Sequence, residues 1–226
     1  MSRLNILVEG QTEETFVNNV LSPHLGQFGV FAVARKVETG RKWNKIFRGG
    51  LDQARGYTKL KKDMALWMRE DQNPDAFFTT MIDLYAIPAD FPGRDISIGL
   101  PVYERVRNIE QAFAEDINHP RFIPYIQVHE FEALLFSDPR QFDWEFIDHD
   151  SAIQKLVVLL SAFENPELIN DDPDTAPSKR IINELPAYKH RKASAGPVIA
   201  EKIGLPILRS KCPHFDEWLT RLEGLK

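Results

Sequence analysis

Apolar positions along the chain switch between short continuous runs and three-to-four-residue spacing, and those switches lay out its elements. Ile6, Leu7 and Val8 form a compact apolar run, predicting a strand over 4–8 that is covered on both faces. Phe16, Val17, Val20, Leu21 and Leu25 then recur at helical spacing, predicting a helix over 12–28. Phe28 to Val33 returns to β-forming residues. Gly40 to Trp43 reads as a loop. From Lys45 to Glu70 the positions Phe47, Leu51, Ala54, Tyr57, Met64, Trp67 and Met68 predict a helix. Asn73-Pro74-Asp75 stops it, and Ala76 to Asp83 is a third buried strand closing on a carboxylate. A proline-punctuated loop from Ile87 to Asp95 leads to a helix over 102–117, with Val102, Val106, Ile109 and Phe113 as its core side. Arg121–Val128 is a fourth strand, running into His129-Glu130-Phe131-Glu132.

Strands alternating with helices predict an α/β domain with a mostly parallel sheet flanked by helices over 1–138. After Asp138 the strand pattern ceases. Segments near 151–163, 178–185, 197–203 and 212–223 have helical spacing, punctuated by Pro166, Pro173, Pro177, Pro186, Pro197, Pro206 and Pro213. Residues 139–226 are therefore expected as a helical C-terminal portion packed on the core. At 226 residues the chain suits one large domain, or one domain with an appendage.

The candidate chemistry lies where strands end. The inferred strands close on Glu9, on Asp83 and on His129-Glu130. Parallel strands bring such ends to one sheet edge, where open α/β sheets place their ligands. Gly10 allows a tight turn and Thr12 a helix cap, which would set Glu13 about one turn further along the same wall. Carboxylates held close repel one another, and a divalent cation is the usual reason to gather them. Oxygen donors suit a hard ion such as Mg²⁺, and the chemistry would be phosphodiester hydrolysis. The same residues also admit a plainer reading, one strand-end Glu plus one Glu complementing a helix dipole. His129 is open to a ligand-orienting role or a purely structural one. Glu130 and Glu132 cannot share a face of a regular helix, although in an extended turn, with period two, they could; one is expected to face solvent or to cap.

Charge adds a second theme. The net charge of −5 argues against a general polyanion binder, yet Arg35 to Lys62 holds ten basic residues against Glu38 and Asp52. Trp43, Phe47 and Tyr57 are interleaved with them, so the segment is either a phosphate-backbone patch for DNA or RNA or a solvated helix face. A second cluster comprises Lys179, Arg180, Lys189, His190, Arg191 and Lys192. There Lys189, or else Lys192, is the candidate to neutralise a developing phosphorane. The single cysteine, Cys212, cannot form an internal disulfide; it reads as a small buried hydrophobe, and a reducing cytoplasm is the expected location. No run approaches the ~18 apolar residues of a membrane span, and no apolar leader follows Met1. Gly10 and Gly49-Gly50 lack a P-loop pattern, so nucleotide hydrolysis by this chain alone is not expected.

Val8-Glu9-Gly10-Gln11-Thr12-Glu13, with a strand ending at Asp83, resembles the Toprim fold of topoisomerases, primases and nucleases of the overcoming-lysogenization-defect type. Asp83 to Gly93, His129 to Phe136, Ile203-Gly204-Leu205 and Cys212 to Leu219 more closely resemble an uncharacterised bacterial Toprim-like family, across nearly the whole chain. The resemblance implies a Mg²⁺- or Mn²⁺-dependent nuclease of an antiphage module, working with an ABC- or AAA-type ATPase encoded nearby. Homo-oligomerisation is left open. It places the first Toprim acid on Glu9, the additional nuclease ligand on Glu13 and the leading aspartate of Asp-x-Asp on Asp83. Tyr85 stands where the second aspartate belongs, which puts a two-metal site in doubt. Glu130 or Glu132 is the replacement expected, with Asp90 a weaker one. Two rival readings share these residues. One is a non-catalytic Toprim-like subunit that binds a partner, and the other is a small-molecule phosphohydrolase needing no basic stripe.

Overall fold

The computed structural model describes residues 1–226 apart from Trp43, Asn44, Ala86, Asn170, Asp171 and Pro173, and only the backbone of residues 39–42 and 45–48. Strand β1 (Ser2–Val8) runs through the middle of the sheet, as its two-faced apolar run requires. It pairs in parallel with β2 (Val30–Lys36), Ser2 opposite Val30. The antiparallel hairpin β3 (Glu38–Lys42) and β4 (Lys45–Arg48) stands apart. On its other side β1 pairs in parallel with β5 (Ala76–Asp83), Ile6 opposite Thr79. Two short strands, β6 (Phe122–Ile123) and β7 (Ile126–Gln127), extend β5 in one continuous parallel register. Pro124 lacks an amide hydrogen and interrupts this fourth strand. The Thr80 hydroxyl bridges the gap, donating to the Tyr125 carbonyl (2.8 Å) and accepting from the Tyr125 amide (3.2 Å).

Side-chain alternation sorts the helices onto two faces. Helix α1 (Gln11–Phe16) continues through a π-helical stretch, Val17–Leu21, into α2 (Ser22–Gly26). Helices α3 (Gly56–Glu70) and α4 (Val102–Ile117) cover one face, where Leu7, Phe78 and Ile82 meet Leu60, Met64, Ile109 and Phe113. Helix α5 (Phe131–Leu135) follows β7. The C-terminal stretch supplies α6 (Asp150–Leu160), α7 (Pro177–Glu184), α8 (Lys192–Ile203), α9 (Leu205–Lys211) and α10 (Pro213–Glu223). On the second face Leu4, Ile6, Val8 and Met81 join Phe16, Phe131, Ile199, Phe215 and Leu219. The fold is the expected mostly parallel sheet between helices, with a helical C-terminal portion. Among the described residues, no helix is long and apolar enough to cross a membrane.

The region after β2 departs from expectation. Gly40–Lys42 and Lys45–Arg48 are strand backbone, and the helix begins only at Gly56. Gly49 and Gly50 adopt φ of +95° and +74°, a left-handed backbone through which no helix can run. The side chains of Arg41, Lys42, Lys45, Phe47 and Arg48, and all of Trp43, lie outside the described residues. Helix α3 is capped from a distance. The carboxylate of Asp90 accepts the amide hydrogens of Tyr57 (3.1 Å) and Thr58 (2.9 Å) and the Thr58 hydroxyl (2.8 Å). Asp90 therefore serves the helix and not the strand-end cluster. Missing α9 in the sequence has a simple cause, since Pro206 sits in its first turn and reads as a break.

Candidate functional site

At the carboxyl edge of the sheet, three strand ends deliver acids to one place. Glu9 follows β1, and its carboxylate accepts the Asp83 amide at the end of β5 (3.3 Å) and, at the long limit, the Leu51 amide (3.5 Å). The Gly49-Gly50 turn makes this approach feasible, with the Gly50 amide donating to the Glu9 carbonyl at 2.9 Å. Asp83 Oδ1 accepts the Phe131 amide (3.0 Å), tying β5 to the first turn of α5. Between β7 and α5, His129 turns the chain with φ of +60°, a strained value for a residue with a side chain. Its carbonyl accepts the Tyr85 amide at 2.7 Å. Its buried ring is not part of the cavity lining.

Glu130 and Glu132 are both buried, so neither faces solvent, and the expected capping position falls to Glu130. The helix starts between them. Glu130 has extended backbone at the N-cap of α5, whereas Glu132 belongs to its first turn, and the regular-helix constraint does not apply. Ser178, at the start of α7, donates its amide (3.0 Å) and hydroxyl (3.1 Å) to the two Glu130 oxygens. Glu132 Oε1 accepts from the Tyr188 hydroxyl (3.2 Å) and pairs with Lys192 Nζ (3.2 Å). Gly196 lets α8 approach this closely, because a Cβ there would stand 3.1 Å from the Tyr188 hydroxyl oxygen. Glu13 accepts the Gly10 amide at 2.8 Å and is 6% exposed.

Glu9, Asp83, Glu130 and Glu132 line one cavity of about 460 Å³ together with Tyr85, Lys179, Lys189 and Lys192. Glu13 is not part of that lining, yet its charge reaches it. Burial first, and then the charges of Glu9 and Glu132, push the Glu13 carboxyl up to about 7. Burial and the neighbouring Glu132 likewise push Glu130 up to about 7. Burial raises Glu9, and burial with the charges of Glu13, Glu9, Glu130 and Glu132 holds Asp83 well above the ordinary carboxylate range. Desolvation pulls the Lys192 ammonium down, but Glu132 and Glu130 together override it and leave it above an ordinary lysine. The structure thus places Asp83 within electrostatic reach of the four other predicted acids and sets Lys189 on the cavity wall.

Carboxylate oxygens crowded into a desolvated space are the donor chemistry of a hard divalent cation. Among the described residues, no group of three or more histidine, cysteine or acidic side chains is arranged as a metal-holding set. A closed protein cage does not fit. What fits is the commoner Mg²⁺ arrangement, in which one or two carboxylates are completed by waters and substrate phosphates. The linked pair Glu9 and Asp83 suits it.

The basic segment is less available than its composition implied. Arg35 pairs with Asp63 (2.7 Å) and Glu70 (3.2 Å), Lys36 with Glu14 (2.8 Å), Lys61 with Asp116 (2.8 Å) and Lys59 with Asp52. Arg55 and Lys62 are exposed. Sequence reasoning missed Ser178 and Tyr188, whose roles depend on residues about fifty positions away. Pro177, opening a helix, was the one local hint of the first.

A family model described as a domain of unknown function (DUF4276) matches residues 8–223. Among solved structures, the chain is similar to the C-terminal region of the Burkholderia pseudomallei OLD protein. The identity is 13%, over 99% of this chain and 100% of that one, with a TM-score of 0.46. The C-terminal region of the Xanthomonas campestris pv. campestris OLD protein matches at 17% identity, over 97% and 95% of the chains, with a TM-score of 0.39. No curated protein matches the chain.

Proposed function

The chain belongs to the DUF4276 family, and on that premise we propose that it is a metal-dependent nuclease or phosphodiesterase acting on DNA or RNA. One observation carries this reading: acids from three strand ends, half-buried at Glu9 and Asp83 and buried at Glu130 and Glu132, share a single cavity with three lysines. Acids alone would suit many cation sites, and lysines alone many anion sites. Both in one cavity match a phosphodiester, which needs its charge neutralised while a cation is held beside it.

When bound, Mg²⁺ or Mn²⁺ supplies a polarised phosphoryl oxygen and a water of lowered pKa. Glu9 and Asp83 are the residues to hold it, with Glu13, Glu130 and Glu132 completing the negative field. Glu130, fixed by Ser178 and poised near neutrality, is suited to hold or release a proton at working pH. Lys189 faces the space where phosphate charge would build, whereas Lys192 is occupied by Glu132. In this reading the protein works in the cytoplasm with an ABC- or AAA-type ATPase, as part of an antiphage module.

A second reading, a Toprim-like regulatory subunit, is favoured by Tyr85 in place of a second acid and by the absence of a three-donor set among the described residues. Cleavage of labelled single- and double-stranded DNA and RNA in Mg²⁺ or Mn²⁺, with and without the neighbouring ATPase, separates the two. Asp83→Asn keeps the shape and removes the charge, so activity should fall ~10³-fold or more with the circular dichroism spectrum unchanged. Wild-type protein that cleaves none of these substrates under any combination would establish the regulatory reading instead.

A further inference from the structure

The chain has five tyrosines, and four of them are spoken for. Tyr57 donates to Asp116, Tyr103 to Asn165 and Glu167, Tyr125 to Gln127, and Tyr188 to Glu132. Tyr85 differs. Among the described residues its hydroxyl makes no hydrogen bond and its ring stacks on no other aromatic, although it is half-buried and lines the cavity. Its backbone is held firmly, by the amide bond to the His129 carbonyl (2.7 Å) two residues beyond Asp83. An aromatic side chain with a fixed base and unused surface, beside the acids, is a platform without an occupant inside the molecule.

The cavity around it has three kinds of wall. Acids stand at the strand ends, Lys179 and Lys189 are exposed cations with no ion pair among the described residues, and Tyr85 shares the remainder with Leu51, Gln53 and Ile182. Its volume of about 460 Å³ belongs to the range of small-molecule sites, roughly 300–1,000 Å³. That is room for one nucleotide and not for the width of a duplex. A base inside a duplex is stacked on both faces and cannot meet a side chain in a recess until it leaves the stack. We infer that the cavity takes a single unstacked nucleotide, its base against Tyr85 and its phosphate between the acids and Lys179 and Lys189. The preferred substrate is accordingly single-stranded nucleic acid or a frayed end. This inference rests on the nucleic-acid reading above and specifies its substrate.

The test is equilibrium binding of fluorescein-labelled 12-mers to the full chain, measured by anisotropy in Ca²⁺ at fixed salt. DNA and RNA single strands are each compared with the matching duplex. The single strand should bind more tightly than the duplex. Tyr85→Ala should weaken single-strand binding about 10-fold while leaving duplex binding unchanged, and Tyr85→Phe, which keeps the ring, should bind as the wild type does. A thermal melt of each variant confirms folding. Duplex binding at least as tight as single-strand binding, or a Tyr85→Ala protein that binds single strands normally, overturns the inference but leaves the nuclease reading standing. Failure to bind either form, with and without the neighbouring ATPase, removes both. Tyr85→Asp gives an independent arm. If restoring an acid there raises metal-dependent cleavage without loss of single-strand affinity, Tyr85 is only a vacated ligand position and the inference falls.

Discussion

Replacing Glu13 by glutamine should stabilise the metal-free protein at pH 8. The amide keeps an oxygen to accept the Gly10 amide hydrogen, so the turn between β1 and α1 retains its hydrogen bond. What disappears is a charge in a desolvated place already crowded by Glu9 and Glu132. The Glu13 carboxyl moves from 4.5 to about 7 on folding, and each tenfold is worth about 1.4 kcal/mol, which sets an upper bound of roughly 3 kcal/mol. The sign follows from proton binding. Between about 4.5 and about 7 the folded state holds the proton more tightly than the unfolded chain, so stability falls as pH rises through that window. At pH 5 the folded wild type is protonated at Glu13 while much of the unfolded chain is not, so under about 1 kcal/mol of the penalty is present. At pH 8 it carries the full penalty and the variant does not.

Urea melts in EDTA at pH 5 and pH 8 measure this directly. The difference between the two proteins, not the pH trend itself, isolates Glu13. Glu9, Asp83, Glu130, Glu167 and His214 are also raised, and each draws stability down as pH rises in both proteins, Asp83 less so in the variant because the Glu13 charge is one of its causes. We expect a gain of about 2–3 kcal/mol at pH 8 and under about 1 kcal/mol at pH 5, with the m value unchanged. Adding Mn²⁺ should then stabilise the wild type more than the variant, because the ion binds only the folded acids. A Glu13→Gln protein no more stable than wild type at pH 8 in EDTA would refute the reasoning about crowded charge.

Two further outcomes bear on neighbouring features. Asp90→Ala should lower stability by about 1–2 kcal/mol, seen as a lower urea midpoint, while leaving stabilisation by Mn²⁺ intact; loss of the metal effect would instead make Asp90 a ligand. If nucleic acid binds, Lys179→Glu with Lys189→Glu should reduce the log–log salt slope by ~0.7–0.9 for each phosphate no longer neutralised, whereas Arg55→Glu with Lys62→Glu should leave it unchanged. The opposite pattern in filter-binding titrations would return the phosphate surface to α3.

Much of this architecture was legible because period and burial agreed. In β1 and β5 the runs Ile6-Leu7-Val8 and Ala76 to Ile82 are covered on both faces, so apolar continuity translated directly into central strands. Glu9 and Asp83 could be placed at one edge because parallel pairing fixes which strand ends meet. The β3–β4 hairpin was not legible. Phe47, Leu51, Ala54 and Tyr57 fall at helical spacing by coincidence, and the glycine pair between them was the stronger signal. Glu130 is the helix-capping position that the spacing allowed, and its extended backbone is what lets Glu130 and Glu132 serve one cavity, but the burial of both had no local signal. Ser178 and Tyr188 had no local signal for their partners, since their hydrogen bonds close loops of 48 and 56 residues.

Those two long-range hydrogen bonds also say how the site is built. Glu130 and Glu132 come from the strand-to-helix turn after β7, but the side chains of Ser178, Tyr188 and Lys192 that meet them come from beyond Asp138. Ser178 caps one, and Tyr188 and Lys192 hold the other. A buried carboxylate left without donors is costly, so without α7 and α8 these acids would turn outward or take up protons. The apolar core makes the same demand. Phe16 of α1 packs edge-on against Phe131 at 5.3 Å and at a tilt against Phe215 of α10 at 6.2 Å, so the helix bearing Glu13 is seated partly by α10. The change of pattern at Asp138 is therefore a change in the type of element, across which both core and cavity are continuous. The acids lie in the α/β half because parallel strand ends gather them. Glu9 and Asp83 are held there by backbone amides of the same half, whereas Glu130 and Glu132 take their side-chain partners from the helical half.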